Sequence, residues 1–127
     1  MYETMFVRPK AGTTTLDVAA SRIFQLLGLE TTEERESSNF VDGHYFVGHG
    51  ANASVDICLS DGATMPEYPF WVTIKSPRAW VSRVTQNIST DPSVIAAMLA
   101  KGGWEIFVPI GKWSRKDWDG KGMAYAA

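Results

Sequence analysis

Apolar residues recur at two different periods along the chain, and the helical period is clearest between residues 16 and 27. There they repeat every three or four positions, as in an amphipathic helix that buries one side. Thr14 stands at the N-cap position, Asp17 follows as its partner in a capping box, and Gly28 is placed to end the helix. The pattern therefore predicts a helix over residues 16–27.

A second helix is predicted after Asp91, an N-cap residue type. Pro92 follows at the first helical position, where its missing N–H costs nothing, and Gly102 and Gly103 mark the end. The apolar residues of this segment fall on one helical face: Val94, Ile95, Met98 and Leu99.

Elsewhere the period changes to two, or short apolar runs stand between turn residues, and both patterns are typical of strands. The predicted strands are residues 2–7, 44–47, 54–59, 70–75 and 104–108. The polar segment 29–41 receives no assignment. Residues 76–90 fit either a short helix after Ser76 or an alternating strand, and a strand is favoured for part of them.

The predicted order is β-α-β-β-β-(β)-α-β in one domain of residues 1–127, with 111–127 as an irregular C-terminal tail. Consecutive strands between two helices favour a mostly antiparallel sheet over a doubly wound parallel one. We therefore expect an α+β fold with a single-layer sheet of about five strands and both helices packed on one face.

The strands at 44–47 and 54–59 flank a glycine-rich turn and predict a hydrophobic β-hairpin. Pairing of Val47 with Ala53 across the turn places His44 opposite Asp56 on the polar face. Four side chains then face the core: Tyr45, Val55, Ile57 and Leu59. The alternation of side chains restricts this register but leaves a slip by two residues open.

This register brings His44, Asp56 and Cys58 into one neighbourhood. An imidazole held by a carboxylate beside a thiol is an arrangement that generates a thiolate nucleophile. The structural alternative is a cross-strand His–Asp pair, which stabilises a sheet by about 0.2–1 kcal/mol, next to a cysteine acting as a small buried hydrophobe. Because no phosphate-binding or catalytic-cysteine motif accompanies the cluster, we expect no catalytic site. The three residues are the candidates if the chain is an enzyme.

Charge and composition narrow the possible functions. The net charge of −2, from 12 basic and 14 acidic residues, gives no support for nucleic-acid binding. The first residues do not fit a signal peptide and no apolar stretch is long enough to span a bilayer, so a cytoplasmic protein without a membrane partner is expected. Cys58 is the only cysteine, which excludes an intramolecular disulfide. No metal or cofactor is expected.

Four glutamates surround Arg35 and form the one charge cluster of the chain: Glu30, Glu33, Glu34 and Glu36. Such a cluster is either a solvated helix end or loop, or a patch that meets a basic partner. A second recognition candidate is the loop stiffened by Pro66 and Pro69, which carries Glu67 and Tyr68.

Trp71 alternates with the core-facing residues of its strand, so it is either an exposed interface anchor or covered by another element. Trp113 and Trp118 in the tail are candidates for that cover, which would make the tail structural.

Three functional hypotheses follow. The leading one is a non-catalytic protein-binding domain, of the inhibitor or immunity type, that holds a protein partner through an acidic and aromatic surface. The second is a small enzyme or ligand-binding domain that uses the polar face of the hairpin. The third is a structural component of an assembly, docked through the tail tryptophans. The leading hypothesis assigns partner binding to Glu33, Glu34, Glu67, Tyr68 and Trp71.

Overall fold

The computed structural model describes residues 2–77 and 84–127. In those residues it contains two α-helices, seven strands and one short 3-10 turn at Val41–Gly43. The helices and strands are β1 (Tyr2–Pro9), α1 (Leu16–Leu27), β2 (Thr31–Glu36), β3 (His44–His49), β4 (Ser54–Leu59), β5 (Phe70–Lys75), α2 (Pro92–Lys101), β6 (Trp104–Pro109) and β7 (Gly122–Tyr125).

The strands form one antiparallel sheet in the order β2-β3-β4-β5-β1-β6-β7. Both helices pack on the same face of this sheet, where their apolar residues and those of the central strands form one core. The predicted α+β class is therefore confirmed. The predicted count of about five strands is too low, because the described residues contain seven.

The two strands that sequence reasoning missed are the edges of the sheet. β2 consists of Thr-Thr-Glu-Glu-Arg-Glu and has no apolar residue to reveal a period. Its charges are typical of an edge strand that must not pair with another chain. β7 is four residues long and lies in the segment 111–127, so that segment is not wholly irregular as predicted. Both edges are short and pair on one side only.

The helices begin and end through local signals. α1 has the predicted bounds, but its N-cap is Thr15 rather than Thr14, and the Thr15 hydroxyl bonds the Asp17 carboxylate instead of the backbone. Gly28 has φ of 72° at the C-terminus, as expected for glycine there. At the start of α2 the Asp91 carboxylate accepts the Ser93 N–H at 3.0 Å. Neither described helix combines the length and apolarity needed to cross a bilayer.

The hairpin of β3 and β4 has a different register from the predicted one. Phe46 lies opposite Ile57 and Gly48 opposite Val55, an odd shift that exchanges the two faces of β3. The prediction that Tyr45 faces the core is therefore wrong, and Phe46 packs against the core instead. Val55 and Ile57 are core residues as predicted.

Gly48 explains the register. A Cβ at this position would come within 2.9 Å of the Phe24 ring on α1 and of the Leu29 side chain. Any larger residue would require these two side chains to shift, so the packing of α1 against the sheet favours the face of β3 that carries Gly48.

The predicted helix or strand at 76–90 is only partly testable, because residues 78–83 lie outside the described residues. Residues 84–90 form neither a helix nor a strand. They run beside the β3–β4 turn, where Asn52 makes two hydrogen bonds to the backbone of Ile88. The Asn52 amide donates to the Ile88 carbonyl at 2.7 Å, and its oxygen accepts the Ile88 N–H at 2.9 Å.

Replacing Asn52 by alanine should destabilise the fold by about 1–3 kcal/mol, because two hydrogen bonds between the turn and residues 84–90 are lost. The free energy of unfolding in urea measures this change. The matched control is Asn87→Ala, at an exposed position of the same segment, where an effect within about 0.5 kcal/mol is expected. Equal losses in the two variants would show that Asn52 does not anchor the segment.

Candidate functional site

The buried polar side chains of the described residues all lie on the sheet face that turns away from α1 and α2, called here the open face. They are Thr4, His49, Ser54, Asp56 and Thr73. Each alternates along its strand with residues that face the helices. Buried polar groups need partners, so this face is where specific chemistry is concentrated.

A cavity of about 310 Å³ lies on the open face and is called here the open-face cleft. Residues 39–41, between β2 and β3, line it together with Trp113 from the segment after β6. Three adjacent strands, β4, β5 and β1, supply its floor: Thr4, Asp56, Cys58, Trp71, Thr73 and Lys75.

The floor of the cleft contains a buried ion pair. Asp56 is only 3% exposed, and its Oδ2 lies 2.8 Å from the Lys75 Nζ, whose side chain is 27% exposed. The hydroxyls of Thr4 and Thr73 bond each other at 3.0 Å on the neighbouring strands. Burial of a charged group is costly unless it is paired, and Lys75 provides this partner for Asp56 on the floor.

Aromatic side chains form the other side of the cleft. Trp113 meets Trp71 edge-on, with ring centroids 5.0 Å apart, and meets Phe6 edge-on at 5.4 Å. The Trp118 Nε1–H donates to the Ile110 carbonyl at 2.9 Å, which holds the same segment in place. The tail therefore covers Trp71, the structural alternative raised by the sequence.

His44 does not join Asp56 and Cys58. The residue opposite Asp56 is Val47, and His44 lies on the same side of β3 as Phe46, which packs against the core. The His44 Nδ1 is 3.6 Å from the Glu34 carboxylate. The prediction that His44 lies near Asp56 and Cys58 is thus wrong. The observed hairpin register differs from the predicted one by an odd number of residues, which puts His44 on the opposite face.

Cys58 lies on the open face beside Asp56, as the alternation along β4 predicted, but it is not activated. Burial, and next the negative charge of Asp56, raise the pKa of the Cys58 thiol to about 12, against a smaller opposite effect of Lys75. The thiol therefore stays protonated at physiological pH. This environment is opposite to the one that produces a nucleophilic thiolate.

His49 is a buried residue of the open face, although the sequence pattern placed it in the glycine-rich turn of the hairpin. It is 2% exposed, and its Nε2 lies 3.2 Å from the Glu33 carboxylate. Arg35 also bonds Glu33. Desolvation alone would raise the pKa of Glu33, but the bonds from Arg35 and His49 outweigh it and lower this pKa. The sequence signal for its burial was its position two residues after the apolar Val47, which puts both side chains on the same face of β3. No group of three potential metal ligands occurs in the described residues.

The residues predicted to bind a partner do not form one surface. Glu33 and Glu34 lie on the edge strand β2, whereas Tyr68 packs near β1 and β6. In the strand order β1 is four positions from β2, or roughly 19 Å. Tyr68 is also buried, with the Arg8 guanidinium 4.6 Å from its ring centre, and Trp71 is half-buried. Glu67 is exposed.

A larger cavity of about 660 Å³ lies on the helix side, near the C-terminal ends of both helices. Its charged lining residues are Lys10 and Arg22, and both are exposed. Without a buried polar group to orient a ligand, this groove is a weaker candidate than the open-face cleft.

Comparison of the chain with protein-family models, with curated proteins and with solved structures finds no match. The geometry of the open-face cleft is therefore the basis for a function.

The Cys58 thiol should react with iodoacetamide far more slowly in the folded protein than in urea. At pH 8.5 an ordinary thiol is about half ionised, whereas one with a pKa of about 12 is ionised to roughly one part in 3000. We expect alkylation, followed by mass spectrometry, to be at least about 1000-fold slower and to accelerate about tenfold per pH unit. Reaction of the folded protein at the rate of a free thiol would contradict the buried, protonated state.

Proposed function

We propose that the protein is a small-molecule-binding domain whose site is the open-face cleft. The observation that carries the proposal is the buried Asp56–Lys75 pair on the floor of a cavity walled by aromatic side chains. Ligand sites usually combine an apolar lining with a few fixed polar groups in a cavity of about 300–1000 Å³. The sequence suggested a ligand-binding domain that uses the polar face of the β3–β4 hairpin. The proposed site lies instead on β4, β5 and β1.

The chemistry of the cleft favours binding over covalent catalysis. The raised pKa of Cys58 disfavours a thiolate, and His44 is not placed to act as its base. Asp56 and Lys75 are held by each other on the rigid central strands β4 and β5. Fixed polar groups on a rigid sheet can orient a ligand without rearranging.

A blocking substitution at the mouth of the cleft tests this function. Val41 lines the cleft and is 47% exposed, so Val41→Trp adds bulk there without disturbing the core. Val94 on α2 is 44% exposed and lies outside the cleft, which makes Val94→Trp the matched control. We expect a library of small polar aromatic fragments, followed by ¹H–¹⁵N NMR titration, to yield compounds that shift the cleft amides.

Affinity for those compounds should fall at least about tenfold in Val41→Trp, because the added ring occupies their volume, and should be unchanged in Val94→Trp. A library without such compounds, or equal affinities in the two variants, would overturn the proposed function.

A second candidate function is binding of a basic protein partner at the acidic edge strand β2. The observation in its favour is exposure: the Glu34 side chain is 52% exposed, and Glu30 and Glu36 are also exposed. Opposite charges at such an edge would speed and orient association. The competing explanation is that these charges only prevent edge-to-edge pairing.

Charge reversal separates the two explanations. A double variant Glu34→Lys and Glu36→Lys should lose a partner captured from native extract, in a salt-dependent manner. The control reverses Glu3 and Glu67, which are exposed away from β2. If the β2 variant keeps the partner and instead self-associates during sedimentation, the charges serve only to protect the edge.

A further inference from the structure

The cavity of about 660 Å³ on the helix side, called here the helix-side groove, is lined by cations without a counter-charge. Lys10 and Arg22 line it, and neither forms an ion pair with a carboxylate of the described residues. The described lining includes no aspartate or glutamate. The groove is therefore a basic concavity on a chain whose net charge is −2.

The acidic residues closest to the lining in sequence do not neutralise these cations. Glu105, on β6, binds Arg8 at 3.1 Å. Asp17 lies in the first turn of α1, more than one helical turn before Arg22, and is not part of the lining. The positive charge of the groove is therefore open to a ligand.

The backbone brings both cations to the same turn between α2 and β6. The Lys10 N–H donates to the Gly103 carbonyl at 3.0 Å, which holds Lys10 beside this turn. On α1, Leu26 lies against Gly102, where an added Cβ would be 2.3 Å from the Leu26 Cδ1. Arg22 precedes Leu26 by one helical turn and lies on the same face of α1. Lys10 and Arg22 therefore flank one turn from two sides.

Cations at such a place could instead serve the C-terminal carbonyls of the helices. In α1 the carbonyls of Phe24 and Gln25 already accept backbone N–H groups of residues 28 and 29. In α2 the carbonyls of Leu99 and Ala100 accept those of the turn that follows. The helix ends are thus satisfied by the backbone and do not require the two side chains.

Much of the remaining lining is apolar. Leu26 is 36% exposed, and Pro9, Ala11 and Trp104 add further apolar surface. An inorganic anion gains little at exposed cations, because water and salt screen the attraction. An anion with an apolar body also removes this surface from water, so both parts of the lining favour such a ligand.

We infer that the helix-side groove binds a small organic carboxylate, whose charge is held by Lys10 and Arg22 and whose apolar body covers Leu26. A guanidinium can hold a carboxylate through two parallel hydrogen bonds. A carboxylate suits the groove better than a phosphate, because phosphate sites use helix N-termini and this groove lies at helix C-termini. The groove is on the opposite side of the sheet from the open-face cleft, so this second site goes beyond the proposed function.

Three probes test the two parts of the ligand. 2-Naphthoate carries the charge and the apolar body, 2-naphthamide is its neutral counterpart, and acetate has no ring. In ¹H–¹⁵N titrations of the full chain, 2-naphthoate should shift the amides of Lys10, Leu26 and Gly103. At low salt it should bind at least about fivefold more tightly than 2-naphthamide, because only the carboxylate pairs with the cations. This preference should shrink in high salt, and acetate should bind more weakly than 2-naphthoate.

The double variant Lys10→Gln and Arg22→Gln removes both charges and keeps long polar side chains. Its preference for 2-naphthoate should fall to about one, with 2-naphthamide binding little changed. The matched control, Lys112→Gln and Lys116→Gln, changes the net charge equally at exposed positions outside the groove and should keep the preference. All four residues are exposed, so the urea midpoint of each variant should be nearly that of the parent chain.

The outcomes separate this inference from the proposed function. Equal affinities for 2-naphthoate and 2-naphthamide, a preference that survives the groove variant, or an equal loss in the control overturns the carboxylate site. The same holds if 2-naphthoate shifts no groove amide. Val41→Trp, which blocks the open-face cleft, should leave 2-naphthoate binding unchanged, and a loss there would place the probe in the cleft and overturn the inference while supporting the proposed function.

Discussion

The burial of one face of the central strands by the two helices is the constraint on which the rest of the structure depends. Val55 and Ile57 of β4, together with Val72 of β5, face the helices and form the core. Because successive side chains of a strand point to opposite faces, the residues between them must face away. Asp56 and Thr73 are therefore placed on the open face by the packing of their neighbours. The polar floor of the cleft is a geometric consequence of the apolar face of the same strands.

The buried Asp56–Lys75 pair is costly for a purely structural purpose. Desolvation of both charges offsets much of their attraction, and well-packed apolar residues in place of such a pair are often equally stable or better. Stability alone therefore does not account for a carboxylate that is only 3% exposed. The proposed role in orienting a ligand gives the pair a reason.

The candidate site was only half predictable. Asp56 and Cys58 share a face because they are two apart on one strand, a local property that the sequence carries. The placement of His44 required the pairing between two strands, and this depends on how closely α1 approaches Gly48. Thr4 and Thr73 are 69 residues apart, and Trp113 reaches the cleft from the tail. No local pattern indicates that these residues meet.

The sequence by itself determined the helices, the central strands and the α+β class, because caps, prolines, glycines and apolar periods act over a few residues. It predicted the bounds of α1, β4 and β5 as the structure has them. The tertiary structure decided the edge strands, the hairpin register, the cover over Trp71 and the cleft. Edge strands bury too little for a readable period, and a register follows from packing between distant segments. Cys58 depends on both levels. The alternation of its own strand sets the face on which it lies, and the residues that the fold packs around it raise the pKa of its thiol.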